Sequence, residues 1–504
     1  MKKKFSFKLC AMVLALVICL VPMLTVLANA GDLKTVPIIS VHGLMASDIY
    51  IDPTDPDSEL AWPPSGDAIL EAVKEAVPSI AKLALTKNWD DFGDDVCEIT
   101  TKLFSPIYCQ HDGTAGKSGV RFKYPAASSI KKDSIVDFKY DWRIDPIVVA
   151  GQLNDYIDYV LKCSGCDTVK ICCHSLGGVI TNTYLTLYGD SKISGVCFNS
   201  TAIFGQTYVG ELMNGQIVLD ADALHQFLEY VFDYNEYKDI INGAMDILKQ
   251  AGLFDFVCGL GNEIVDHILV QASREVLAPM FGGWLSIWAM TRDEDIEQAQ
   301  DFFFNTINDG IDYSEIEAKI NNFNTTVRPY KAQTLKKLNE NASVYVISRY
   351  DYPSIPITPS FNVNSDGVVD VHSTSFGATV APYGSKLSDE QIAGVDAKYI
   401  SPDRTINAST CMFPEQTWFI KDMQHANNPD SLEAMMYKLL RYDGQATVDT
   451  FEGYQRFSKY DSKDDVIYPY QTVEPAMTFT YRIKLIVKEF ISLIRLLIEK
   501  ISAK

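Results

Sequence analysis

Residues 169–187, VKICCHSLGGVITNTYLTL, constrain the fold of this chain more than any other stretch. A short apolar run rich in β-branched residues breaks at Cys173-His174-Ser175-Leu176-Gly177, and a helical pattern with Val179, Ile180, Thr183, Tyr184 and Leu187 starts at once. A strand, sharp turn and helix in direct succession match a nucleophile elbow, whose central residue is held in strained φ/ψ with its side chain pointing out of the sheet. That strain calls for small residues two positions either side. Gly177 and Gly178 provide them after Ser175, but Cys173 stands where glycine is usual, so the match to G-x-S-x-G is imperfect. The competing explanation is a plain strand-to-helix turn with a helix-capping serine. The flanking pattern and the downstream partners described below favour the nucleophile.

The 504 residues allow one large domain with insertions, or two or three domains. Lys2, Lys3, Lys4 and Lys8 precede an apolar run over 9–28 and an Ala28-Asn29-Ala30 site, the pattern of a secretory signal peptide spanning 1–30. The expectation is an exported, secreted protein, with membrane association through its C-terminal tail as one option. An uncleaved anchor is opposed by Pro22 and the Ala-Asn-Ala site. Losing the four leader lysines with no acid takes the net charge from −21 to −25. Such a body repels polyanions, so no nucleic-acid partner is expected. Of eleven cysteines, Cys10 and Cys19 leave with the leader, and the nine that remain cannot all pair. Cys163-x-x-Cys166 reads as a local loop bridge or buried thiols, since no second Cys pair with His follows at zinc-finger spacing. Cys172 and Cys173 read as small apolar side chains in the strand.

Strand and helix patterns alternate through the first half. VPIISV at 36–41 reads as a buried strand and is followed by His42-Gly43-Leu44. Residues 46–124 read as a loop-rich insertion with a helical pattern over 68–85. FKYDWR at 138–143 ends an extended piece, and 151–161 is helical before the elbow strand. This alternation predicts an α/β fold: a mostly parallel central sheet covered by helices on both faces. Residues 195–199 are the next expected strand. Helical patterns then dominate 205–338, as at 223–232, 237–253 and 295–304, and read as a cap inserted between two sheet strands. SVYVIS at 343–348 returns to strand chemistry, and 351–364, with three prolines, reads as a loop. The expected layout is therefore a core over 31–204 and 339–476, a helical cap over 205–338, and a tail over 477–504. In that tail Ile483, Ile486, Val487, Phe490, Ile494, Leu497 and Ile501 share one helical face, and basic residues outnumber acidic ones. It suits a membrane interface, a partner groove or the protein's own acidic surface.

A serine hydroxyl needs a histidine base and a carboxylate to orient that base. In this fold class the chain order is Ser, then Asp or Glu, then His. Only His372 and His425 lie downstream of the helical insertion. His425, in a loop after the short strand TWFI, is the preferred base, with His372 as its rival. Asp366 is the preferred acid because Ser365-Asp366-Gly367 forms a tight turn before an extended run, with Asp351 and Asp370 as alternatives. An oxyanion hole needs backbone N–H groups already aimed. Leu176, after the nucleophile, is one donor, and Leu44 is the other, because Gly43 permits close approach; Met45 is its neighbour. His42 is expected to hydrogen-bond within its loop. No cofactor is required, and no EF-hand spacing is present, although the acid-rich loops leave calcium open.

VHGL at 41–44, YDWR at 140–143, CHSLGG at 173–178, SDGVV at 365–369 and QHANNP at 424–429 together resemble the α/β-hydrolase lipases, in particular the lecithin:cholesterol acyltransferase-like branch. The resemblance covers roughly 36–44, 138–199 and 343–427, and leaves out 46–124, most of the cap and the tail. It implies an α/β-hydrolase fold and a Ser-His-Asp hydrolase of acyl esters, with Asp141-Trp142-Arg143 structural. The expectation is a secreted lipase or esterase acting on acyl-ester or lipid substrates. Acyl transfer to an alcohol, amide hydrolysis and a catalytically silent binding protein are the alternatives.

Overall fold

The computed structural model describes residues 35–232, 238–308 and 310–471. The expected signal peptide at 1–30 and the basic tail at 477–504 lie outside these residues. The central sheet has eight strands: β1 (Ile38–Val41), β2 (Ile135–Phe138), β3 (Val169–His174), β4 (Ile193–Asn199), β5 (Ser343–Tyr350), β6 (Thr417–Lys421), β7 (Phe457–Asp461) and β8 (Val466–Pro469). Their spatial order is β8-β7-β6-β5-β4-β3-β1-β2. All neighbours pair in parallel except β7 and β8, which are antiparallel.

Parallel strands covered on both faces bury nearly every residue, which is why their sequences read as unbroken apolar runs. In β3, Ile171 and Cys173 join one apolar layer with Val149, Leu153 and Ile180, while Cys172 joins the other with Leu432, Met436 and Leu440. Lys170 is the exception in that strand: its ammonium is buried, donates to the Leu440 carbonyl, and is pushed below its usual basicity by burial.

The helices that cover the sheet carry the local signals that start and stop them. α1 (Gly66–Thr86) and α2 (Trp89–Phe104) occupy the segment between β1 and β2. α2 departs from the loop expected there. Its run of acids obscures the apolar spacing of Phe92 and Cys97, but Asn88 caps it by accepting from the Asp91 amide, and Asp90 and Asp91 face the positive end of the helix dipole. α3 (Pro146–Ser164) begins at a capping Asp145 with Pro146 in its first turn, and ends at a left-handed Gly165. α4 (Leu176–Tyr188) follows β3 without a linker beyond Ser175.

Between β4 and β5 the chain is helical, including α5 (Ala221–Phe232), α6 (Lys238–Gln250), α7 (Leu253–Ala272), α8 (Ser314–Thr326) and α9 (Lys331–Asn341). α10 (Asp430–Leu440) covers the second face of the sheet. No described helix is long and apolar enough to cross a membrane.

Arg143 is fully buried and fastens the segment between β1 and β2 to the sheet. Asp141 grips its Nε and Nη2 at 2.9 and 2.6 Å, and the guanidinium donates to the Ile107 carbonyl, to Ser118 Oγ and to the Ser118 carbonyl. Trp142 Nε1 donates to the Ser47 carbonyl at 3.0 Å. A buried guanidinium is tolerable only with this many acceptors.

The cysteine expectation needs correcting. All nine described cysteines are free, and Cys163 and Cys166 are neither bridged nor buried. Cys172 and Cys173 are packed apolar side chains in β3.

Candidate active site

The site forms at the C-terminal ends of the parallel strands, where β1 lies between β2 and β3 and successive connections leave in opposite directions. Such a switch point opens a crevice in doubly wound sheets. Ser175 sits there at φ 55°, ψ −126°, directly after β3. A non-glycine residue in this region carries about 1–3 kcal/mol of strain. Its amide donates to the Asn199 carbonyl at 3.3 Å, and its carbonyl accepts from Gly178 and Ala202, so the distorted turn is held from three sides. Ser175 occupies the position before α4, but its side chain makes no capping bond. That removes the helix-capping explanation of the serine.

The small residues around the turn are steric requirements. A Cβ on Gly177 would lie 2.1 Å from the Val41 carbonyl oxygen, one on Gly178 2.3 Å from Thr201 Cβ, and one on Gly43 2.7 Å from Ser175 Cβ. Cys173 escapes this constraint because its side chain turns into the apolar layer beneath, with Sγ 3.6 Å from the Cys197 carbonyl oxygen. The departure from G-x-S-x-G therefore does not loosen the turn.

His425 lies in the loop after β6, and Asp366 in the turn that follows the proline-rich loop. His425 Nδ1 is 2.7 Å from Asp366 Oδ2, and the His425 amide donates to the Asp366 carbonyl at 2.8 Å. Asp366 Oδ1 accepts from the amides of Val368 and Val369 at 3.1 and 2.7 Å. Burial alone would raise the Asp366 pKa, but His425, the Val369 amide and the nearby Arg349 outweigh it and hold the carboxyl below its usual range. The acid is therefore ionised and pinned on one oxygen, with the other facing the imidazole.

The alternatives are engaged elsewhere. Asp351 pairs with Lys421 at 2.6 Å. Asp370 Oδ2 accepts from the amide and hydroxyl of Thr207 at 2.7 and 2.5 Å. His372 is exposed, with Nδ1 2.9 Å from the Ala378 carbonyl oxygen.

Two residues passed over in the sequence join the site. Arg349, at the end of β5, donates to the carbonyls of Gln424, His425 and Asn427 and to the side-chain oxygens of Asn428 and Asn199. Asn199 in turn receives the Ser175 amide, so this one guanidinium ties the histidine loop to the serine turn. Its signal was an arginine closing the apolar run SVYVISRY, a charge the strand buries only for a purpose. His174 precedes the serine, and its ring centroid lies 4.5 Å from that of His425, tilted by 34°. Burial, reinforced by His425, Arg349 and His42, pushes the His174 pKa well below the usual imidazole value, so the ring stays neutral.

Leu176 is the first residue of α4, so its N–H belongs to the amides that have no intrahelical acceptor. Leu44 follows Gly43, which packs directly on Ser175. The loop is braced by Tyr140 Oη donating to the His42 carbonyl at 2.6 Å and by Trp62 Nε1 donating to the Met45 carbonyl at 3.2 Å; Met45 adopts φ 62°. The His42 side chain reaches outside its own loop, with Nε2 3.3 Å from Asp137 Oδ1 on β2. Ser175 and His425 are 6% and 8% exposed. Cavities of about 590 and 470 Å³ lie elsewhere, the larger beside Tyr188 and Tyr330 and the smaller beside Lys170 and Tyr442.

No protein-family model matches the chain, and no curated protein matches it. Among solved structures, the Tle4-Tli4 complex aligns at 10% identity and a TM-score of 0.24, over 62% of this chain and 75% of that one. A putative aryl esterase from Burkholderia cenocepacia aligns at 13% identity and a TM-score of 0.16, over 62% and 90%. Likeness at that level bears on neither fold nor activity.

Proposed function

We propose that the protein is a serine hydrolase of carboxylic esters in which Ser175 is the nucleophile, His425 the general base and Asp366 the orienting acid. The observation that carries this reading is the buried Asp366 hydrogen-bonded to His425, whose ring packs on His174, the residue before a serine held at positive φ. In the reaction, Ser175 Oγ attacks the ester carbonyl as its proton passes to His425 Nε2. The amides of Leu176 and Leu44 receive the negative charge that develops on the carbonyl oxygen. Collapse of the tetrahedral intermediate expels the alcohol, which takes the proton from His425, and leaves an acyl-enzyme. Water, deprotonated by the same histidine, releases the acid. The ionised Asp366 keeps the proton of His425 on Nδ1, which leaves Nε2 free to accept. No metal or redox group takes part in this scheme.

The proposal includes export with cleavage after Ala30, and lipid acyl esters as the substrate class. The helical segment 205–338 acts in it as a cap. Bonds from Thr207 to Asp370 and from Ser360 to Glu211 tie the start of that segment to the loops beside the acid, which supports the placement. A fluorophosphonate probe tests the chemistry: it is expected to label one peptide, containing Ser175, and the label is expected to vanish in Ser175→Ala together with hydrolysis of p-nitrophenyl esters. Labelling elsewhere, or equal ester turnover by the variant, would reject the assignment. Amide hydrolysis would show as turnover of anilides without turnover of esters.

A further inference from the structure

Far along the chain from the serine turn, α5 and α6 bring together the only grouping of three side chains with metal-ligating atoms among the described residues: His225, Glu229 and Asp246. His225 and Glu229 are four residues apart and so share one face of α5. Asp246 reaches them from α6. One donor atom from each residue falls within a 4.8 Å cluster. Acids gathered at a helix surface mean little by themselves, but the histidine adds an independent sign. His225 is 5% exposed, and Phe254 of α7 meets its ring edge-on, with centroids 5.3 Å apart at 84°. Its Nε2 is buried and makes no hydrogen bond, although Asp246 Oδ1 is only 3.1 Å away, because the carboxylate sits off the line along which the ring nitrogen points.

A buried nitrogen with a carboxylate oxygen beside it, and no hydrogen bond between them, is an expensive arrangement. A cation on the nitrogen's axis resolves it, since both atoms then bind a third centre. Two donors at about 2.0–2.1 Å from a tetrahedral zinc ion are separated by roughly 3.4 Å. The observed 3.1 Å is close to that value, and the Glu229 side chain, 38% exposed, is free to swing in. A mixed set of one imidazole and two carboxylates suits zinc better than calcium or magnesium, which take oxygen donors. We propose that His225, Glu229 and Asp246 form a zinc site that pins α5 to α6, with water completing the coordination.

Lys249 is the built-in competitor. It is 2.8 Å from Asp222 and lies in the field of both Glu229 and Asp246. The site shares no residue with the serine chemistry, so its failure would leave the ester-hydrolase reading untouched.

The test is calorimetric titration of the full chain with zinc chloride after chelator treatment. One equivalent is expected to bind. His225→Ala is expected to weaken binding by at least about 100-fold, since even groups that only support a ligand are worth 10–100-fold. Asp246→Asn, at a side chain 56% exposed where the fold is not at stake, is expected to weaken it by about tenfold or more. Lys249→Gln is expected to tighten it. Zinc binding unchanged by both His225→Ala and Asp246→Asn would place the metal elsewhere, for instance on the free thiols, and would overturn the proposal. Absence of binding, or displacement of zinc by equimolar calcium, would overturn it as well.

Discussion

The two ends of the turn at 366–370 each bury a carboxylate, and the protein uses them in opposite ways. Asp366 faces an imidazole, two amides and a nearby guanidinium, and is held below the usual carboxylate range. Asp370, almost as deeply buried, has only the amide and hydroxyl of Thr207 in contact and Arg292 at longer range; burial dominates and its pKa is raised. Equal burial therefore does not set the charge of an acid. The donors pointed at it do, and four residues of chain suffice to reverse the outcome.

The largest expected effect separates the two acids directly. Asp366→Asn should lower kcat for ester hydrolysis by about 10⁴-fold, because an amide in place of the carboxylate no longer selects the tautomer that leaves His425 Nε2 free to accept. A loss below tenfold would mean that another acid orients the histidine, and would end the contrast.

Arg349→Met comes next. It orphans three carbonyls and two asparagine oxygens, each worth about 1–3 kcal/mol if left unpaired in the interior. The melting temperature should fall by many degrees, and activity should fall further than stability explains, because the His425 loop loses its anchor. An unchanged melting temperature would show that water replaces the guanidinium without cost.

The acid limb of the kcat/KM profile sharpens the same comparison for the paired histidines. Since burial keeps His174 neutral well below the usual imidazole range, His174 should take up no proton in the limb, and log kcat/KM should rise with pH at a slope of one. A slope of two would mean that His174 also gains a proton there.

Asp370→Asn is expected to do least to catalysis, changing kcat by less than tenfold. Its signature lies in stability. A carboxyl whose folded pKa is raised favours the folded state below its unfolded pKa of about 3.9 and loses that advantage as pH rises through its folded value. The wild type should therefore lose stability relative to Asp370→Asn over that interval. Asp366 has the opposite sign: its contribution is present above about pH 3.9 and disappears as pH falls through the lowered folded value. Stability curves of the two Asn variants that ran parallel in acid would contradict both assignments.

Ser175 and its turn were readable in the chain because everything that defines an elbow is local: a β-branched run, a tight group of small residues and an immediate helical period within nineteen positions. Strands β1, β3, β4, β5 and β6 were readable for a similar reason, since double-sided burial leaves an apolar run, whereas β7 and β8, at one side of the sheet, mix charged and polar residues into short runs and were not anticipated. α2 was hidden, because five acids dilute the apolar spacing of Phe92 and Cys97, and only the capping Asn88 marks its start. The chain order of serine, acid and histidine narrowed the partners to a few residues and went no further.

The sequence by itself determined the α/β layering and the position and shape of the turn that carries Ser175, because these follow from side-chain periodicity and steric limits over short distances. Only the tertiary structure decided that Asp366 rather than Asp351 or Asp370 meets His425, that Arg349 binds the histidine loop, and that His174 stays uncharged. Each of those outcomes depends on which donors and charges converge from strands distant in the chain, and on how much water the packing excludes around them.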